Sequence, residues 1–153
     1  DTCAGEWIKA HNAVRINVDY FLNSRYADFK SYMVHELRHA LDDYKQKGYA
    51  NKYSMNRPAK IDSDKSKEFV EYQNMPAEIN ARYAQAISSI DQQLDTAFWK
   101  DGVYDTQSIT ALVNSKFKRY EIAYLFPEKT ESKEYKRLVQ RAVKYIQNVL
   151  KKT

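Results

Sequence analysis

Three glycines and three prolines are all that punctuate a chain of 153 residues. Sandwiches and barrels turn back roughly every ten residues and draw on Gly and Pro to do so. A chain this poor in both is expected to be built mainly from helices. Its length suits one domain, 1–153, with a sizeable core. Apolar residues at 43% and charged residues at 29% are the balance of a soluble globular protein, not of a disordered tail.

The apolar periods bear this out along most of the chain. From Tyr26 to about Lys47, Phe29, Met33, Leu37, Leu41 and Tyr44 recur every three or four residues and form one helical stripe. Asp28 suits the start of that helix and Lys45, Lys47 and Gly48 its end. A second helix is predicted behind Asn74 as cap and Pro76 in the first turn, carrying Ile79, Tyr83, Ala86, Ile87, Ile90 and Leu94. A third is predicted from Thr106 to Phe126, stopped by Pro127. The last begins near Ser132 and repeats Tyr135, Leu138, Val139, Ala142, Ile146, Val149 and Leu150. Residues 49–64 read as a long loop, 65–73 as a short helix and 100–105 as a turn. Only near the N-terminus does the period fall to two, where Val14, Ile16, Val18 and Tyr20 alternate with polar residues and predict a strand. The expected class is mainly α with a small β element.

Inside the first helix stands His35-Glu36-Leu37-Arg38-His39. Residues four apart share a helix face, so His35 and His39 can direct two imidazoles at one ion. Glu36 is turned by about 100° from His35. It flanks such an ion without binding it and can act as general base toward a water. This chain's own His and Glu frequencies give a chance occurrence of H-E-x-x-H of roughly 0.3%. The alternative is a solvated polar stripe on an ordinary helix.

A catalytic zinc site takes a third protein ligand. Asp42 lies on the histidines' face, but at about 1.5 Å rise per residue its backbone is about 10 Å from that of His35, too far for all three to converge. The positions after His39 that would hold a third histidine in H-E-x-x-H-x-x-G-x-x-H carry no ligand. A ligand from elsewhere is required, and Glu78, Glu71, Glu68, Asp64 and His11 are the candidates.

His35, Glu36, Leu37, His39, Ala40, Leu41, Asp43 and Tyr44 together resemble the active-site helix of the zincin metalloproteases, and are most similar to the thermolysin-type pattern. Met75 to Ile87 resembles the second helix of the gluzincin branch, with Glu78 near its start and Ala81 three residues on. The resemblance implies a minimal zincin-like domain and a Zn2+-dependent peptidase. In it His35, His39 and Glu78 bind the metal, Glu36 is the base, and a protein or peptide substrate adds as a strand along a preceding sheet edge. It covers two helices and one strand. One departure is Arg82, where thermolysin relatives carry an aspartate. Tyr83, Arg82, Tyr72 and His11 are candidate transition-state stabilisers, Tyr83 foremost.

The net charge of +5 is concentrated in residues 131–153, where seven cations stand against Glu131 and Glu134. This basic helix could meet an anionic partner, including DNA carrying the substrate proteins; the plainer reading is a solvated outer face. A non-catalytic interaction protein that keeps the scaffold is the remaining reading, and Glu36 argues against it. Cys3 is the single cysteine, so no intrachain disulfide forms. No apolar run is long enough to span a bilayer and no signal peptide is visible. The chain begins at Asp1 and not at Met, which leaves its compartment open.

Overall fold

The computed structural model describes residues 5–45, 76–95, 102, 104–126 and 128–152. They are mainly helical with one small antiparallel sheet. The predicted loop at 49–64, the short helix at 65–73 and the candidates Asp64, Glu68, Glu71, Tyr72 and Cys3 lie outside the described residues. The chain divides into two compact units, Asp1–Gln85 and Ala86–Thr153.

In the first unit, β1 (Gly5–Ile8) pairs antiparallel with β2 (Ala13–Ile16), with Trp7 opposite Val14. The strand expected to run through Tyr20 ends four residues earlier. Asn17 is the reason: its side chain accepts a hydrogen bond from the Tyr20 N–H at 3.2 Å and starts the short helix α1 (Val18–Asn23). A cap that satisfies an otherwise orphaned donor outweighs weak alternation. Helix α2 (Tyr26–Lys45) follows, and β1 packs against it.

The face that α2 buries is not the one its apolar stripe predicts. Leu37, Leu41 and Tyr44 are exposed, Tyr44 at 85%, whereas Ser31 and Asp42 are buried. Across from that polar face lies the start of α3 (Pro76–Leu94), whose Ala77 and Ala81 are buried beside Glu78. Gln85 of α3 donates to the Ser31 hydroxyl at 3.4 Å, and Asn80 donates to Asp42 Oδ2 at 3.3 Å. Asp42 also pairs with Arg38 at 3.0 Å. Small residues on α3 and polar partners on both helices make this a polar interface, and buried polar groups are retained where they are hydrogen-bonded.

The boundary between the units falls inside α3. In the second unit the later residues of α3, Ala86, Ile90 and Leu94, are buried together with Ile109, Val113 and Phe117 of α4 (Thr106–Arg119) and Tyr135, Ala142 and Ile146 of α5 (Lys133–Lys151). Asp105 caps α4 by accepting from Ser108 N–H at 2.7 Å, which holds its carboxyl below the usual range. The helix expected to run to Phe126 stops at Arg119. Glu121 takes a left-handed backbone (φ 53°), and a 3-10 turn, Ile122–Leu125, carries Ile122 and Leu125 into the core. Tyr145 of α5 donates to Asp91 at 2.9 Å. The cations Lys133, Arg137, Arg141 and Lys144 lie on the exposed face of α5, as a solvated outer face requires. No helix among the described residues is long and apolar enough to cross a membrane.

Candidate metal centre

His35 and His39 fall one turn apart on α2 and reach the polar interface with α3. Their Nε2 atoms are 3.1 Å apart. Glu78 comes from the first turn of α3, where a carboxylate is favoured by the positive end of the helix dipole. Its Oε2 is 3.3 Å from His39 Nε2 and 3.7 Å from His35 Nε2. The three ligand atoms lie within 4.8 Å of one another and could hold a metal ion.

The electrostatics favour a cation there. Glu78 is 4% exposed, and its Oε2 has no hydrogen-bond partner despite facing both rings. Its other oxygen accepts from Arg82 Nε at 2.8 Å, one helical turn on. Burial by itself raises a carboxyl's pKa. Here the neighbouring His39 ring, then His35 and Arg82, outweigh it and hold Glu78 well below the usual carboxylate range. For His35 burial dominates and outweighs the pull of Glu78, so its pKa falls to about 4 and the ring is neutral at pH 7. A neutral imidazole and an ionised carboxylate are the forms in which these side chains bind metals. A buried, unpartnered carboxylate oxygen aimed at two ring nitrogens is costly until something fills the gap, and a cation does so.

Glu36 is half-buried on the flank of the group. Its Oε2 accepts the backbone N–H of Trp7, in β1, at 2.8 Å. Nothing in the side-chain sequence signals this bond, because a backbone donor exists at nearly every position. The Arg82 contact had a signal: Glu and Arg four apart on one helix. Among the other candidates, Asp42 is buried but engaged by Arg38 and Asn80, and His11 is exposed in a 3-10 turn between the strands. Tyr83 is half-buried on α3, and five residues of helix turn it about 140° from Glu78.

Comparison of the chain with protein-family models, with curated proteins and with solved structures finds no match.

Proposed function

We propose that the chain is a zinc metallopeptidase of gluzincin type, with His35, His39 and Glu78 holding the ion and Glu36 as general base. The observation that carries the reading is the buried, unpartnered Glu78 Oε2 turned toward two imidazole nitrogens. Two imidazole nitrogens and one carboxylate oxygen are a donor set found in zinc hydrolases.

When bound, zinc supplies a Lewis acid and brings the pKa of a coordinated water to roughly 7. The protein's residues do the rest. Arg82 keeps the Glu78 carboxylate ionised and oriented. Burial keeps His35 free of a proton that a metal would have to displace. Glu36, next to His35 in sequence but rotated out of the ligand set, takes the proton of the attacking water and delivers it to the leaving amine. The Trp7 N–H holds one oxygen of that carboxylate in place.

The test is metal content by mass spectrometry on untagged protein purified without added zinc, together with cleavage of a panel of labelled peptides. About one zinc per chain is expected, and Glu78→Ala is expected to lose it. Glu36→Gln is expected to keep the zinc and lose about 100-fold or more in turnover. Protein that takes up no zinc even when incubated with it would overturn the reading, and an active Glu36→Gln would remove the base.

A further inference from the structure

A cavity of ≈ 690 Å³ opens in the second unit between α4, the 3-10 turn after it and the start of α5. Its wall is apolar where Tyr124, Tyr135 and Val139 contribute, and it carries three lysines from three different elements: Lys118 of α4, Lys129 of a second 3-10 turn (Lys129–Glu131) and Lys136 of α5. Among the described residues, no acidic side chain lines it. Lysines on outer helix faces are ordinarily solvated. Convergence of three of them around an apolar hollow, with Lys136 paired to a carboxylate at the rim (Glu131), is a different arrangement.

The wall that carries Tyr124 is fixed in place. Glu121 before it and Lys129 after it both hold left-handed backbone (φ 53° and 49°), a conformation that residues with a Cβ seldom adopt without support. Between them Ile122, Leu125 and Phe126 are buried and anchor the turn. Tyr124 is thereby left 60% exposed, with Lys129 Nζ 5.1 Å from its ring centroid. A large aromatic held outward on an anchored turn costs little entropy to engage, which is how binding surfaces use tyrosine.

We infer that this cavity is a docking site for an acidic peptide segment of a partner protein, an apolar or aromatic side chain of the peptide entering the hollow while its carboxylates meet Lys118, Lys129 and Lys136. Charge complementarity selects the occupant. Lys136 already holds Glu131 at 2.9 Å in a pair exposed on both sides, and such pairs exchange partners readily. A nucleic-acid strand requires cations along a track and several aromatic faces for stacking; among the described residues of this wall, only Tyr124 is an exposed aromatic. The cavity size is that of a site for a few side chains.

The experiment is fluorescence anisotropy of the full chain with a labelled peptide, Asp-Glu-Phe-Leu-Glu-Asp, against its neutral counterpart Asn-Gln-Phe-Leu-Gln-Asn. The acidic peptide is expected to bind at least ten-fold more tightly, with affinity falling as salt rises. Lys118→Glu with Lys129→Glu is expected to remove that preference, and Tyr124→Ala to weaken both peptides several-fold. All three side chains are exposed, so circular dichroism is expected to stay unchanged in these variants. Equal affinity for the two peptides, or unaltered binding in the lysine variant, would overturn the inference. So would tighter binding of a single-stranded oligonucleotide or of phosphatidylglycerol vesicles that the same variant abolishes.

Discussion

Arg82 Nε donates to Glu78 Oε1 at 2.8 Å, so one oxygen of the carboxylate is tied back along its own helix while the other faces His35 and His39. A carboxylate held this way is already oriented and ionised for a cation. Partners of this kind change metal affinity by about 10–100-fold when removed. Arg82→Ala is therefore expected to weaken zinc binding within that range in a competition titration with a chromogenic chelator. Arg82→Lys, which keeps the charge but not the fork of donors, is expected to fall between the two. Wild-type affinity in Arg82→Ala would mean that helix packing alone orients Glu78.

The metal-free protein is expected to lose stability as the pH falls from 6.5 toward 4. His35 has a folded-state pKa of about 4 against 6.5 in the unfolded chain. Between those values the unfolded state binds a proton that the folded state does not, so stability rises with pH across that window. The effect is on the order of 3 kcal/mol at full extent. Glu78 has a depressed pKa, and its contribution is present above the ordinary carboxylate value of 4.5 and lost on further acidification. Urea unfolding of chelator-treated protein at pH 7, 6 and 5 reads the slope; a flat profile would mean that the His35 ring is not held neutral.

The β1–β2 ribbon is expected to matter to turnover more than to metal content. A Cβ at Gly5 would lie 2.7 Å from the Arg15 carbonyl oxygen on the paired strand, so the strands must part to admit it. Gly5→Ala then disturbs β1 two residues from the Trp7 N–H that holds Glu36. The expected cost is about 1–3 kcal/mol of local strain, with kcat reduced several-fold and zinc stoichiometry unchanged. Wild-type kcat together with wild-type melting would show that the ribbon does not position the base.

In the second unit, Ser132 caps α5 by accepting from the Tyr135 N–H at 3.4 Å. Ser132→Ala is expected to cost about 1 kcal/mol and to lower the melting temperature by a few degrees, and Ser132→Asp to restore it. Calorimetry of the pair distinguishes loss of the cap from loss of a buried hydroxyl, because only the former is repaired by the carboxylate.

Much of this was legible from local sequence. The placement of His35 and His39 on one face follows from helical geometry alone, since four residues of helix leave little freedom. The starts of α2, α3 and α5 followed from period, from Pro76 and from Ser132. The ends of β2 and α4 did not. Asn17 caps α1 where the alternation continued, and Glu121 leaves α4 where the apolar residues continued. In both places one backbone conformation competes with a pattern averaged over many residues.

What the sequence by itself determined is the pair of imidazoles, the carboxylate beside them and the helices that carry them, because these are relations within a few residues of one another. Only the tertiary structure decided that α2 turns its polar face inward, that Glu78, 39 residues beyond His39, lies with the two imidazoles in a group that could hold a metal ion, and that a backbone N–H from β1 holds Glu36. The reason is physical. Periodicity states which residues share a face but not what that face meets. Leu37, Leu41 and Tyr44 form a regular stripe and remain exposed, while Ser31 and Asp42 are buried because α3 offers them Gln85 and Asn80.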